Sequence, residues 1–427
     1  MSIAMTALLG AIETPRCTLV ANGLPRGPLG LTRAQVSTRA TALGSDGVAW
    51  SEFLADLPRP AGTAQRLLIE GQRTNGVRNP RAEGAAVGVP GTLPTNWTLT
   101  VGGGLVREVV GAGTLNGIAG VHVRVSGTTT AAAGQLIAVE ATNAISAASG
   151  QTWAASALIA LTAGSTANLT SLRWNIVGTN GTSATETTNL SVVGSITATP
   201  QRFAVTRTLN NAGTTHVRAG VEYTYALGAV IDFTVFIGWP QLEQAAAAST
   251  PALPPAGTPG AATRGADLVT ATLAALGLPG SGACTLLWTG VVPQAAPASA
   301  PLTLLQLDDG TANNRYLLRV AAGGSSVAVN RVTAGVAAGD AALSTMTPGT
   351  PFRAGIAIDA AGRMAGSFNG AAAVAVTGGP TSGLTTLRVG GEVGGGNALF
   401  GEVGSLRVLT TPMSDAALVA AVAALTA

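Results

Sequence analysis

Val121-His122-Val123-Arg124-Val125 alternates three β-branched apolar residues with two polar ones. A period of two puts the valines on one face of an extended strand and His122 and Arg124 on the other. β-branched side chains also suit a pleated, half-buried surface better than a helix. Similar runs recur to either side: Trp97-Thr-Leu-Thr-Val101, Leu136-Ile-Ala-Val-Glu140, Trp153 to Leu161, Leu172-Arg-Trp-Asn-Ile-Val177, Arg202-Phe-Ala-Val-Thr206 and Ile231 to Ile237. Clusters of Gly, Asn and Thr separate them. Many short strands with glycine-rich turns predict an antiparallel β-sandwich over residues 91–245.

A second set begins after residue 265. Cys284–Thr289, Leu302–Leu307, Arg315–Val320, Val327–Val332, Phe352–Ile358, Arg363–Phe368, Ala372–Val376, Thr386–Gly390 and Gly401–Leu409 all read as strands. Asn369-Gly370 is a hairpin signal, because both residues tolerate positive φ. Ser414 as N-cap and Asp415 in the first turn predict a short closing helix over Ala416 to Leu425. Pro251, Pro254, Pro255 and Pro259 mark residues 246–265 as an extended, semi-rigid linker or strap. Residues 1–90, punctuated by Pro15, Pro25, Pro28, Pro58, Pro60 and Pro80, read as irregular. Short strands fall at Val48–Trp50 and Leu67–Glu70, with a turn at Gly44–Gly47. The fold expected is therefore all-β: two antiparallel sandwiches in tandem, over 91–245 and 266–427, after an irregular N-terminal region, with a short C-terminal helix.

Composition excludes several chemistries. All 23 basic residues are arginine. Without lysine there is neither a Walker A phosphate loop nor Schiff-base catalysis. Charged residues make up 10% of the chain, against roughly 25% in an ordinary soluble domain. The arginines are scattered and the net charge is only +3, which argues against a nucleic-acid groove. No apolar run is long enough to span a membrane. The N-terminus lacks the basic region of a signal peptide, so synthesis in the cytoplasm with the chain kept in full is expected. Cys17 and Cys284 read as two free thiols. His122 and His216 cannot build a histidine-rich metal site, and no Gly-x-Ser-x-Gly elbow occurs. No cofactor is expected, and a binding or structural role is favoured over an enzyme.

The candidate sites follow from sugar chemistry. Glycan recognition commonly pairs an aromatic face with polar side chains. Trp174, flanked by Arg173 and Asn175, is the candidate platform in the first sandwich. Arg315 and Tyr316, beside Asn313 and Asn314, are the counterpart in the second. Trp153 and Trp288 read as core, while Phe233 and Phe236 fall on opposite faces, which would expose one of them. Asp308-Asp309-Gly310 reads as a turn. Calcium held by Asp308 and Asp309 is the alternative there, weakened by the absence of Asp-x-Asp-x-Asp spacing. A paired-carboxylate glycan depolymerase is a further alternative without a motif to carry it. The weakly charged surface points to a homo-oligomer, since interface cores are depleted of charge.

Several strings resemble the amino-terminal region of bacteriophage and gene-transfer-agent fibre and head-spike proteins. They are Leu31-Thr-Arg-Ala34, Ser45-Asp-Gly-Val48, Leu57-Pro-Arg59 and Leu67-Leu-Ile-Glu-Gly-Gln-Arg-Thr-Asn75, continued by Asn79-Pro-Arg-Ala-Glu-Gly84 and Pro94-Thr-Asn-Trp97. Gly238-Trp-Pro-Gln-Leu-Glu243 and Thr263-Arg-Gly-Ala-Asp267 extend the match. The resemblance implies a jelly-roll domain like a carbohydrate-binding module, then a concanavalin A/laminin G-like sandwich. Phe352–Ile358, Phe368-Asn-Gly370, Leu387-Arg-Val-Gly-Gly391, Leu406-Arg-Val-Leu409 and Ser414-Asp-Ala-Ala-Leu418 carry the latter. It further implies a virion-surface protein, trimeric in the first instance, that contacts other virion proteins through residues 1–90 and binds host polysaccharide for adsorption. A purely structural capsid or tail connector is the alternative. Arg33, Arg73 and Arg264 lie inside or beside the matching strings and are expected to act as structural anchors.

Overall fold

The computed structural model describes residues 17–33 and 38–426. Among the described residues the chain is all-β apart from a short 3-10 turn and one C-terminal helix. Its two compact units are both discontinuous in sequence. A central unit comprises 35–55 and 73–264, and a terminal unit comprises 1–34, 56–72 and 265–427.

The central unit is a sandwich of two antiparallel sheets. The five-stranded sheet has the order Gln201–Thr208, Thr152–Ser165, Val230–Glu243, Ile118–Thr128, Leu105–Leu115. The four-stranded sheet has the order Ala133–Ala138, His216–Tyr225, Leu169–Thr179, Ala184–Ser191. Val121, Val123 and Val125 are fully buried between the sheets with Phe233, Val235, Trp174, Ile176, Val221 and Tyr223, as the alternation requires. Leu115 pairs with Ile118 across a two-residue turn in which Asn116 and Gly117 have φ of 51° and 81°, the left-handed pair that matches strand twist. The expected strand at Trp97–Val101 is reduced to a bridge from Thr98 to Ala138. Its Trp97 indole N–H instead donates to the Asn79 carbonyl (3.1 Å).

The outer face of the five-stranded sheet is partly covered. Ile118, Leu158, Ala160, Phe236 and Trp239 form an apolar cluster there with Leu253 and Trp50. Trp50 begins a strand, Trp50–Phe53, paired with Ala40–Leu43, and its ring meets Trp239 edge-on at 6.3 Å. Phe233 and Phe236 do fall on opposite faces, yet both are buried, because this cluster covers Phe236.

The terminal unit is the larger sandwich. Its nine-stranded sheet runs Leu24–Pro25, Cys17–Ala21, Gly401–Leu409, Cys284–Val291, Phe352–Ile358, Met364–Phe368, Val374–Val376, with Arg66–Ile69 also paired to Gly401–Leu409 and Pro60–Ala61 paired to Arg66–Ile69. The eight-stranded sheet runs Val336–Ala337, Ser326–Thr333, Arg315–Val320, Leu302–Asp308, Thr386–Val389, Leu268–Thr272, Gly30–Thr32, with Ala341–Thr345 paired to Ser326–Thr333. Trp288, Phe352 and Phe368 stack in series at 4.9 and 5.2 Å inside its core.

The helix forms as expected, over Asp415–Ala423, with the Ser414 hydroxyl accepting from the Ala417 N–H. Leu418 and Val422 pack on Leu287, Ala357 and Ala365, the outer face of the nine-stranded sheet. Asn369 and Gly370 take φ of 50° and 81°. A Cβ on Gly370 would lie 2.7 Å from the Ala423 Cβ, so glycine there serves both the turn and the close approach of the helix.

The N-terminal ninety residues are not a separate region in their described part. Leu19, Val20, Leu67 and Ile69 belong to the terminal core, whereas residues 38–55 and 73–90 belong to the central unit. Short apolar strands unable to bury a face alone are stabilised by completing existing sheets. Residues 1–16 and 34–37, part of the expected attachment region, lie outside the described residues.

The proline-rich segment 246–265 is likewise a strap fixed to the central unit rather than a free linker. Ala252 and Leu253 are fully buried. The Thr41 hydroxyl donates to the Pro251 carbonyl (2.9 Å), and Arg39 bridges to Leu253.

Buried polar groups hold these chain passages. In the terminal unit Arg59 binds Glu70 (2.7 Å) and Asp267 (2.5 Å), and Arg33 lies 3.2 Å from Asp267. In the central unit the Asn75 amide donates to the carbonyls of Pro240 and Ala252 and accepts from the N–H groups of Val77 and Leu242. Arg73 lies 3.4 Å from Glu243, and Arg264 is fully buried. The strings Leu67–Asn75, Gly238–Glu243 and Thr263–Asp267 thus contain the polar groups that secure discontinuous segments.

Candidate functional site

Strand alternation sorts the predicted residues of the central unit at once. On Leu169–Thr179, Leu172, Trp174 and Ile176 face the core, so Arg173 and Asn175 must face outward. Trp174 is 0% exposed. It is therefore a core residue and not a sugar platform: an apolar ring of this size gains most by filling the space between the sheets.

The partners of Arg173 and Asn175 come from the neighbouring strand, His216–Tyr225. Arg173 stands opposite Glu222 and Asn175 opposite Gly220. The Asn175 Nδ2 donates to Glu222 Oε2 at 2.7 Å, and the Arg173 guanidinium is 3.9 Å from the same carboxylate. Arg218, opposite Val177, lies on the same face and donates through Nη1 to the Thr142 hydroxyl (2.8 Å). His216 ends the row, with Nδ1 2.8 Å from the Thr215 hydroxyl. On the other side the edge strand Ala184–Ser191 aligns Ser191 with Arg173, Asn189 with Asn175 and Thr187 with Val177, and all three are exposed. The result is a continuous face of hydroxyl, amide, guanidinium and carboxylate groups on the outside of the four-stranded sheet.

Two groups of this face carry unpartnered atoms. Asn175 is only 1% exposed, and its Oδ1 has no hydrogen-bond partner. Arg218 has no carboxylate within ion-pair distance among the described residues, and its Nε–H is buried and unpartnered. Burial disfavours its charged form and lowers its pKa. Both unpartnered atoms are buried, so what this face presents outward is an Arg218 charge without a counter-charge beside exposed hydroxyl and amide groups.

The second predicted set resolves differently. Tyr316 is fully buried, its hydroxyl donating to the Pro380 carbonyl (2.8 Å), so it is not a surface ring. Arg315 pairs with Glu392. Asn313 is exposed at the loop tip. Asn314 is absorbed by its own loop, donating to Asp309 (2.8 Å) and accepting from the Ala334 N–H (2.9 Å). Asp308 is fully buried and receives both Nε and Nη2 of Arg388 (2.6 and 3.1 Å) and the Gln306 amide (2.8 Å).

Asp309 accepts from the Thr311 hydroxyl and the Asn314 amide, which hold its carboxyl below the usual range. The Asp308–Asn314 loop is thus a closed turn whose carboxylates already have protein donors. No group of three or more metal-ligating side chains occurs among the described residues, and the calcium alternative finds no ligand set here. Arg319 with Asp340 (2.9 Å) completes an outward polar layer whose charges are matched.

Sequence reasoning missed Arg218 and Glu222, although His216, Arg218, Glu222 and Thr224 alternate with Val217, Ala219, Val221, Tyr223 and Tyr225. The strand signal was present in that period-two pattern. None of the sixteen aromatic residues (Trp 6, Tyr 3, Phe 7) is fully exposed; Trp50, Phe53 and Phe400 are partly so, and none of the three lies on the four-stranded sheet. Cys284 is a buried free thiol pushed up to about 12 by burial, and the Cys17 side chain lies outside the described residues. No helix among the described residues is long and apolar enough to cross a membrane.

No family model matches the chain, and no curated protein does. Among solved structures it is similar to the CBM40 module of the Ruminococcus gnavus IT-sialidase bound to alpha2,3 sialyllactose, at 16% identity and a TM-score of 0.27, covering 33% of this chain and 81% of that one. The same module bound to alpha2,6 sialyllactose gives 16%, 0.27, 33% and 82%. The N-terminal CBM22-1-CBM22-2 tandem domain of Paenibacillus barcinonensis Xyn10C gives 11% identity and a TM-score of 0.23, covering 77% of this chain and 100% of that one. None of the three names a virion protein or a laminin G-like domain, and no residue role is transferred from them.

Proposed function

We propose that this chain is a non-enzymatic glycan-binding protein that engages polysaccharide through the outer face of the four-stranded sheet in the central unit. The observation that carries this reading is the outward polar face itself: Arg173, Arg218 and Glu222 with Asn189, Thr187 and Ser191 beside them. Flat arrays of hydroxyl, amide and charged groups suit a hydroxyl-rich ligand, and Arg218 has no carboxylate within ion-pair distance among the described residues. In the finer form of the proposal the protein is a fibre or head spike on the surface of a phage-like particle. It contacts other virion proteins, is assembled as a homo-oligomer with a trimer first, and uses the face for adsorption. The ordered strings between Leu31 and Asp267 support that form. Repeated copies would raise a weak polar contact by roughly 10²–10⁴ in avidity.

The test is binding of the full-length protein to an array of bacterial surface polysaccharides. Binding that drops about tenfold or more in an Arg173→Ala variant of unchanged melting temperature is the expected result. Its ion pair with Glu222 is part-exposed and worth little to stability, whereas Glu222 is kept because it holds the buried Asn175 amide. Absence of binding to every polysaccharide overturns the reading, and unchanged binding by the variant moves the site off this face. The second reading, a structural connector, draws support from the lack of any fully exposed aromatic ring. Image density for another virion protein lying over the four-stranded sheet would favour it.

A further inference from the structure

We infer that the glycan taken by this face is acidic, with a sugar carboxylate seated on Arg218. The inference rests on the glycan-binding reading above and adds the class of ligand. Arg218 is the group on the face whose charge the protein leaves unmatched. Arg173, by contrast, faces Glu222 at 3.9 Å. In the same unit Arg78 holds Glu140, Arg81 holds Glu52, Arg124 holds Asp232 and Arg207 holds Glu186. A half-buried guanidinium without a counter-charge is costly to keep, and an anion from outside would remove that cost.

The geometry specifies the anion further. Nη1 is committed to the Thr142 hydroxyl. Nε–H is unpartnered but buried, so the donor that a ligand from outside meets is Nη2, and a carboxylate oxygen placed on it gains a charge-assisted hydrogen bond. Thr142 fixes the plane of the guanidinium in advance, so little rotamer entropy is lost on binding. Asn175 stands diagonal to Arg218 across the strand pair, but its Oδ1 is equally buried, so the sugar hydroxyls meet the exposed Thr187, Asn189 and Ser191 instead. The remaining charges facing Arg218 on the sheet are Arg173, Glu222 and His216. Glu222 is tied to Asn175 and Arg173, so it does not compete for the Arg218 edge.

The experiment uses the full-length protein and a panel of capsular polysaccharides. Each uronic-acid-containing member is printed beside its carboxyl-reduced form, in which the hydroxyls are kept and the charge is removed, and phosphate-bearing members are printed beside their dephosphorylated forms. Expected is binding to uronate-containing polymers that falls about 10- to 100-fold on carboxyl reduction, the range for losing a charge-assisted hydrogen-bonded pair. Arg218→Gln should lose more binding on the acidic polymer than on its reduced form, by about that factor. Arg218→Lys, which keeps the charge, should recover part of it.

Equal binding to acidic and reduced forms overturns the carboxylate inference while leaving glycan binding standing. Loss of binding on dephosphorylation alone also overturns it, in favour of a phosphate. Binding to nothing overturns the glycan reading itself. The comparison of native and reduced polymers needs no variant, so a misfolded Arg218→Gln protein would leave the test intact.

Discussion

At the scale of single residues, alternation decides more than residue type. Trp174 was attractive as a sugar platform because polar residues flank it, yet those same neighbours require it to point inward. Trp174→Ala should therefore destabilise the protein by about 3–5 kcal/mol, the cost of emptying a buried aromatic site, measured by denaturant unfolding of the full-length chain. Mere loss of glycan binding with unchanged stability would contradict its burial. Cys284 offers a second check. Its thiol is fully buried and pushed up to about 12, so little thiolate exists at neutral pH. In a Cys17→Ser background the native protein should resist iodoacetamide and react at one thiol once unfolded, as counted by mass spectrometry.

At the scale of elements, the strands read from sequence are those with buried apolar runs. All nine expected in the terminal unit are present, because runs such as Leu302–Leu307 and Phe352–Ile358 are buried on the sheet. His216–Tyr225 is an exception, overlooked although Val217, Ala219, Val221, Tyr223 and Tyr225 are buried on one face; two other overlooked strands of the central unit are of other kinds. Ala184–Ser191 is a polar edge strand with no apolar period, and Leu105–Leu115 is diluted by glycine and pairs through Asn116-Gly117.

The helix was legible through its cap. Ser414→Ala should cost about 1 kcal/mol, since one N-terminal N–H loses its side-chain acceptor. The measurable result is a small fall in the denaturant midpoint with an unchanged slope. A change in slope would mean that the helix supports more of the terminal unit than its own packing.

At the scale of the whole molecule, the central sandwich is closed at one edge by Glu186. This residue lies on the edge strand Ala184–Ser191 and receives Arg207, on Gln201–Thr208 of the opposite sheet, at 2.5 Å. Burial alone would raise its pKa. The N–H of Asn210, the Arg207 guanidinium, the Thr214 hydroxyl and the N–H of Asn211 outweigh that and hold it at about 2, below its ordinary 4.5. A depressed native pKa means that the unfolded chain binds the proton first. The stabilisation is therefore complete above about pH 4.5 and is lost as pH falls towards 2. Melting temperature followed from pH 7 to pH 2 should show this acid limb. Glu186→Gln should lower the plateau and flatten the limb, and an identical pH profile in the variant would remove Glu186 from the account.

Sequence by itself determined the all-β class, most strands of the terminal unit, the capped helix, and the exclusion of lysine-dependent chemistry. These depend on local periodicity, turn geometry and composition, which operate within a few residues. Only the tertiary structure decided how residues 17–90 are distributed between two sandwiches, that segment 246–265 is a buried strap, and that Asp308, Asn314 and Arg315 belong to a closed network. It alone brought Arg173 and Asn175 beside Glu222 and Arg218, more than 40 positions away in the chain. The physical reason is that counter-charge and hydrogen-bond satisfaction are properties of pairs. Arg218 and Arg388 look alike in sequence, and only their spatial neighbours make Arg388 an internal clamp and leave Arg218 without a counter-charge among the described residues.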